Sequence, residues 1–141
     1  MYNMAMRRSY FFILIVIAAL FVTPWILLRE NVAHPELVRS AELSCLVSRD
    51  AMPPKTFTSD GCSAWPDGSY RSCCIAHDIR YWCGGESDER AHADREFYNC
   101  VREKTNPAYA RVMRIGVSVG GHPLLPLPWR WGYGWNWPES L

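Results

Sequence analysis

Cys73, Cys74, His77, Asp78 and Tyr81 are of types, and at spacings, that suit the activation of water beside a hard cation. They fall in the run CCIAHDIRY, which covers about two turns if it is helical. A histidine with an ordinary pKa of about 6.5 is a base matched to proton transfer near neutrality. On a helix Asp78 points about 100° around the axis from His77, a direction open to the loop that precedes the helix. That direction suits a metal ligand, because calcium takes oxygen from carboxylates, backbone carbonyls and water. Tyr81 lies one turn beyond His77 on the same face.

These side chains need a scaffold, and the flanking sequence supplies one. Thr58 to Ser69 (TSDGCSAWPDGS) is dense in Gly, Pro, Asp and Ser and reads as a loop with at least two turns. A helix capped by Ser69 or Ser72 is expected to run to about Trp82, with Gly84-Gly85 stopping it. A second helix is expected from Ser87 to about Lys104, with Asp88 and Glu89 suited to its N-terminal dipole and Asn106-Pro107 following it. The short link makes the two helices antiparallel neighbours. If Cys73 were bonded to Cys100, His77 would lie about 6 Å along one helix and Asp94 about 9 Å back along the other. The two side chains would then be nearly level, with Tyr81 also in reach of Asp94. The alternative for Asp94 is a surface pairing with Arg90 or Arg95.

The chain has 141 residues and a formal charge of +1. That length suits one small domain. No run of Lys or Arg marks a phosphate-binding face, which argues against a nucleic-acid partner. Ser9 to Leu28 is uncharged and mostly apolar, and Arg7 and Arg8 precede it. About 20 such residues span a bilayer. Residues 1–30 are therefore expected to be an uncleaved anchor with a cytoplasmic N-terminus, a cleaved signal peptide being the alternative. Either reading exports the rest, so the domain is expected to be membrane-anchored on the periplasmic or extracellular side, or secreted. The six cysteines all follow this segment, and in an oxidising compartment they should pair, although spacing alone does not choose the pairing. Zinc is the competing use of Cys and His, but adjacent cysteines diverge around a helix.

Pro35 to Val47 reads as an amphipathic helix carrying Cys45, ended by Met52-Pro53-Pro54. From Gly116 the chain is rich in Gly, Pro and Trp, which argues against regular helix over most of residues 116–141. Trp129, Trp131, Trp135 and Trp137 suit either a lipid interface or packing back over the helices. His34, His92 and His122 lack partner patterns and are expected at the surface. The expected fold is thus mainly α: an N-terminal signal or transmembrane helix, a disulfide-bonded helical domain over 31–115 with two antiparallel helices carrying the site, and a tail packed on it. Nothing argues for an oligomer, so a monomer is expected.

The segments DGCSAWPDG, CCIAHDIRY and ADREFYNC together resemble the secreted phospholipase A2 superfamily. That family pairs a Gly-Cys calcium loop with Cys-Cys-x-x-His-Asp-x-x-Tyr and then Asp-x5-Cys on a second helix. Tyr81-Trp82-Cys83-Gly84 is similar to the group XII branch. The resemblance covers residues 60–101. It implies a calcium-dependent carboxylic ester hydrolase acting on membrane phospholipid. His77 would deprotonate water, Asp94 would hold its tautomer, and Tyr81 would bond to Asp94. Asp78 would bind calcium together with backbone carbonyls at about Gly61, Ser63 and Trp65. The resemblance also implies Cys73–Cys100 and Cys62–Cys74 bonds, leaving Cys45 and Cys83 as a third. Arg80 and Ala93 stand where the family commonly joins two further cysteines, and Trp65-Pro66 interrupts the usual glycine-rich loop. The alternatives are a membrane-anchored module that keeps this fold and binds lipid or protein without turnover, and a structural domain in which His77 merely packs.

Overall fold

The structure is a computed structural model describing residues 33–138. The expected anchor or signal over residues 1–30 lies outside the described residues. Among the described residues there are four helices and no β-strand. None of these helices is long and apolar enough to cross a membrane.

Helix α1 spans Pro35–Leu46 and begins as its sequence predicts, with Pro35 in the first turn, where a missing N–H costs nothing. Its buried face is Ala41 and Cys45, one turn apart. Helix α2 spans Arg71–Cys83. The expected serine cap is not used: Tyr70 is the N-cap and makes no side-chain cap bond, while the Ser69 hydroxyl donates to the Lys104 carbonyl at 3.4 Å. Gly84 ends α2 at φ 71°, and a side chain there would meet Gly132 at 2.8 Å, so glycine is required twice over.

Helix α3 spans Ser87–Lys104, and a capping box between Glu86 and Glu89 opens it. Helix α4 spans Pro107–Gly120, with the Asn106 side chain accepting the Tyr109 N–H at 2.9 Å. Asn106-Pro107 therefore both stops one helix and starts the next. The last five residues of α4 lie inside the Gly/Pro/Trp-rich stretch, where the composition argued against helix.

Consecutive helices pack on one another, α1 on α2, α2 on α3 and α3 on α4. Three disulfides lock that order. Cys45–Cys83 joins α1 to the end of α2, Cys62–Cys74 joins the preceding loop to the start of α2, and Cys73–Cys100 joins α2 to α3. Closing loops of this size restricts the unfolded chain by about 3–4 kcal/mol each. The main core between α2, α3 and α4 contains Tyr70, Phe97, Val101, Ala110 and Met113 around two of these disulfides. A second cluster joins Phe57 and Trp82 to Ala41 and the Cys45–Cys83 bond.

Residues 121–138 have no regular helix and fold back over the C-terminal end of α2. The last carbonyls of a helix lack intrahelical donors, and here the tail provides them. Gly132 N–H donates to Tyr81 O at 2.7 Å, Gly134 N–H to Trp82 O at 3.1 Å, and the Trp135 indole to Cys83 O at 2.8 Å. Trp131 is buried and its indole donates to Gly85 O at 2.7 Å. Trp137 is 47 % exposed, and Trp129 and Trp135 are partly buried. The buried Arg130 organises this segment by donating to the carbonyls of Trp131, Gly132 and Trp135 at 2.9–3.0 Å. Arg130→Met should cost about 3 kcal/mol, because three enclosed carbonyls lose a charged donor. Thermal unfolding should show it as a midpoint lower by roughly 10 °C or more.

Candidate active site

The Cys73–Cys100 bond sets the register of α2 against α3, and with it the level of His77 against Asp94. The imidazole Nε2 lies 3.0 Å from Asp94 Oδ1, with both residues buried. Its ring packs between Tyr81 and Phe97, at centroid distances of 4.1 and 4.7 Å. A carboxylate accepts only, so Nε2 carries the proton and Nδ1 is the basic nitrogen. Tyr81 Oη–H donates to the same Asp94 Oδ1 at 2.7 Å.

Two further residues complete the cluster, and spacing arguments do not reach them. Ser118, on α4, donates its hydroxyl to Asp94 Oδ2 at 2.6 Å. Arg90, one turn before Asp94 on α3, donates from Nε to Tyr81 Oη at 3.4 Å and from Nη2 to the Ser118 carbonyl. Arg90 thus bonds to the neighbours of Asp94 rather than pairing with it across the helix surface. Finding Ser118 would have required a helix through Gly116.

Charge is arranged to favour a neutral imidazole beside an ionised acid. Burial pushes the His77 pKa below its ordinary value, and the Arg90 charge adds to this, while the bond and charge of Asp94 only partly offset it. Burial alone would raise Asp94, but hydrogen bonds from His77, Ser118 and Tyr81 outweigh it and hold the carboxyl below its usual range.

Asp78, next in sequence, turns away from this cluster to the loop before α2. Its Oδ2 accepts the Ser59 hydroxyl at 2.5 Å, and that hydroxyl also accepts the Gly61 N–H at 3.1 Å. Burial pushes the Asp78 carboxyl well above its ordinary value; the Ser59 hydrogen bond offsets part of this, the Asp60 charge adds to it, and Arg71 opposes it weakly. The loop is held firmly. Cys62–Cys74 ties it to α2, Asp67 accepts the Cys62 N–H at 3.0 Å, and Ser63 donates to Asp60 at 2.7 Å. Trp65 donates its indole N–H to Tyr109 Oη at 2.6 Å, and the Tyr109 and Tyr70 hydroxyls are also 2.6 Å apart. Burial pushes the Tyr70 phenol up to about 12, so it stays protonated and donates to Pro66 O at 2.8 Å. Gly61 at φ 86° and Ala64 at φ 55° reverse the chain within this loop.

Gly61, Ser63, Trp65, His77, Asp78 and Tyr81 all line one cavity of about 300 Å³. Its remaining wall is largely apolar and includes Phe97, Val112, Met113, Val117, Leu127 and Trp129. The donor set suits an oxygen-seeking cation. Asp78 is a carboxyl whose ionisation costs free energy until a cation compensates it, and it faces a backbone loop. All six cysteines are in disulfides, so the thiolates that zinc would need are not available. Among the described residues no group of three His, Cys, Asp or Glu is placed to hold a metal, so backbone oxygens would have to supply most ligands. His34, His92 and His122 are exposed. No family model, curated protein or solved structure matches this chain.

Proposed function

We propose that this domain hydrolyses an acyl ester of a glycerophospholipid, with His77 activating water and calcium as the cofactor. The observation that carries this reading is the shared cavity. His77, held from behind by Asp94, and the half-buried Asp78 carboxyl beside a backbone loop share one largely apolar chamber. The chamber suits an acyl chain.

In this reaction His77 Nδ1 takes a proton from water as the water oxygen bonds to the ester carbonyl carbon. Asp94 keeps the imidazole in the tautomer that can accept that proton and stabilises the imidazolium formed. Tyr81 and Ser118 hold Asp94 in place. Calcium, held by Asp78 and the carbonyls of Gly61, Ser63 and Trp65, would stabilise the negative charge developing on the carbonyl oxygen. When the ester C–O bond breaks, the imidazolium returns its proton to the leaving glycerol oxygen. The products are a fatty acid and a lysophospholipid.

Helix α4 supports a lipid surface as the place of action. Val112, Ile115 and Val119 follow helical spacing on one stripe and are 55, 59 and 66 % exposed, and Val112 also lines the cavity. Exposed apolar stripes of this kind bind interfaces. The double variant Ile115→Glu with Val119→Glu should lower hydrolysis of phospholipid vesicles by about tenfold or more, since two aliphatic chains contribute about 3 kcal/mol on burial. Hydrolysis of a monomeric short-chain phospholipid should stay within about twofold.

The reaction type is tested by mass spectrometry of products from vesicles carrying two different acyl chains. Equimolar fatty acid and lysophospholipid are expected. Release of a phosphorylated headgroup or a diacylglycerol would contradict ester hydrolysis.

A further inference from the structure

The Asp94 carboxylate is held from two sides. Its Oδ1 takes both His77 Nε2–H and Tyr81 Oη–H from α2, and its Oδ2 takes Ser118 Oγ–H from α4. Serine inside a helix commonly faces solvent or bonds to a carbonyl of its own preceding turn. Ser118 instead reaches a carboxylate 24 residues away in sequence, at 2.6 Å. Its position is itself fixed. Ser118 lies in the last turn of α4, where carbonyls lack intrahelical donors, and Arg90 bonds to its carbonyl. A cation suits that end of a helix dipole. The same guanidinium touches Tyr81 Oη, so Arg90 spans from the end of α4 to the phenol that shares Asp94.

We infer that Ser118 is a positioning residue for the His77–Asp94 pair, clamping the free oxygen of Asp94 from α4, and that Arg90 fixes where Ser118 sits. A carboxylate can pivot about the bond joining it to the chain. With Oδ2 bonded to Ser118, that pivot is blocked and Oδ1 stays on the imidazole. Without Ser118, the buried oxygen loses its donor and the carboxylate turns to seek another, releasing His77 from a single tautomer. The loss falls on the step in which imidazolium forms, because Asp94 stabilises that charge there. It does not fall on lipid binding, since Ser118 is not among the residues lining the cavity. The inference rests on the hydrolytic reading of the site for its kinetic consequence and on geometry alone for its structural one.

The test uses the full chain carrying Ser118→Ala, Ser118→Thr or Ser118→Val. For Ser118→Ala, kcat on a phospholipid substrate should fall about tenfold, the effect of about 1.4 kcal/mol lost in the transition state. KM should stay within about twofold. Ser118→Thr keeps the hydroxyl and should restore most of kcat, whereas Ser118→Val, of similar size, should not. Adding Ser118→Ala to Asp94→Asn should cost nothing further. A fall carried by KM, or equal behaviour of the Thr and Val variants, would overturn the inference. Nitrogen-15 NMR of the His77 ring gives a readout independent of turnover. The wild type should show the Nε2–H tautomer alone at neutral pH, and Ser118→Ala a mixture of tautomers. An unchanged single tautomer in Ser118→Ala would also overturn it. An inactive wild type with the expected tautomer change would fault the hydrolytic reading and leave the clamp standing.

Discussion

Replacing His77 with Gln is expected to lower phospholipid hydrolysis by about 10³-fold or more, the upper part of the range for a lost general base. Gln fills similar space and can donate to Asp94 Oδ1 in place of Nε2–H, so the buried acid keeps a partner. It has no basic nitrogen at the position of Nδ1. Fold and melting temperature should therefore change little while turnover disappears, and that separation is what identifies a base rather than a packing residue. The wild-type pH profile should carry the same signature. Burial lowers the His77 pKa, so the acidic limb of kcat/KM should lie below the ordinary histidine value of about 6.5. Stability follows with a defined sign. As pH falls below about 6.5 the unfolded chain takes up the proton first, so the folded state loses stability down to the folded pKa of His77. A limb above 6.5 would mean that Asp94 outweighs burial.

The second large effect concerns Asp78 and calcium. Its folded pKa is raised, so the folded protein binds the proton more readily than the unfolded chain does. The stability this contributes is present below the ordinary carboxylate value and is lost as pH rises through the folded pKa. At neutral pH, without calcium, holding this carboxyl in the folded site is therefore a cost. A bound cation reverses that cost, so calcium should stabilise the wild type by about 2.7 kcal/mol at 100 times its Kd, a melting shift of roughly 10 °C or more. Asp78→Asn removes the charge and one carboxylate oxygen, leaving a neutral amide oxygen that is a much weaker partner for calcium. Asn still accepts from Ser59, so this variant should melt above calcium-free wild type, should not respond to calcium, and should not hydrolyse lipid. Differential scanning calorimetry with and without calcium distinguishes these outcomes. An equal calcium shift in Asp78→Asn would remove Asp78 from the metal site.

Where the sequence was readable, one physical constraint lay between residues close in the chain. The rise of a helix from Cys73 to His77 and from Cys100 to Asp94 is enough to level the base with its acid once the two cysteines are joined. The ends of α3 follow from an acidic first turn and Asn106-Pro107, and the start of α1 from Pro35. Where it was not readable, tertiary packing overrode local signals. The expected Ser69 or Ser72 cap of α2 is not used: Tyr70 takes the N-cap position and Ser69 is drawn to the end of α3. Gly116 and Gly120 cost α4 about 1 kcal/mol each relative to Ala, and composition therefore argued against helix where Ser118 sits. The Asn106 cap and burial of Ala110 and Met113 against α3 outweigh that cost. A surface pairing of Asp94 with Arg90 or Arg95 is the alternative to its orienting role, and the approach of α4 shows Arg90 bonded to the Ser118 carbonyl instead. For the tail tryptophans, packing over the helices is the expected reading and a lipid interface the alternative. Carbonyls exposed at the end of α2 decide for Trp131 and Trp135, and Trp137 remains exposed.

The most direct measurement is fatty-acid release from phospholipid vesicles by the purified full chain at neutral pH, first in millimolar calcium, then in excess chelator, then with calcium restored. The account predicts release, arrest and recovery in that order. Steady release through the chelator step, or none at any step from a correctly folded protein, would contradict it.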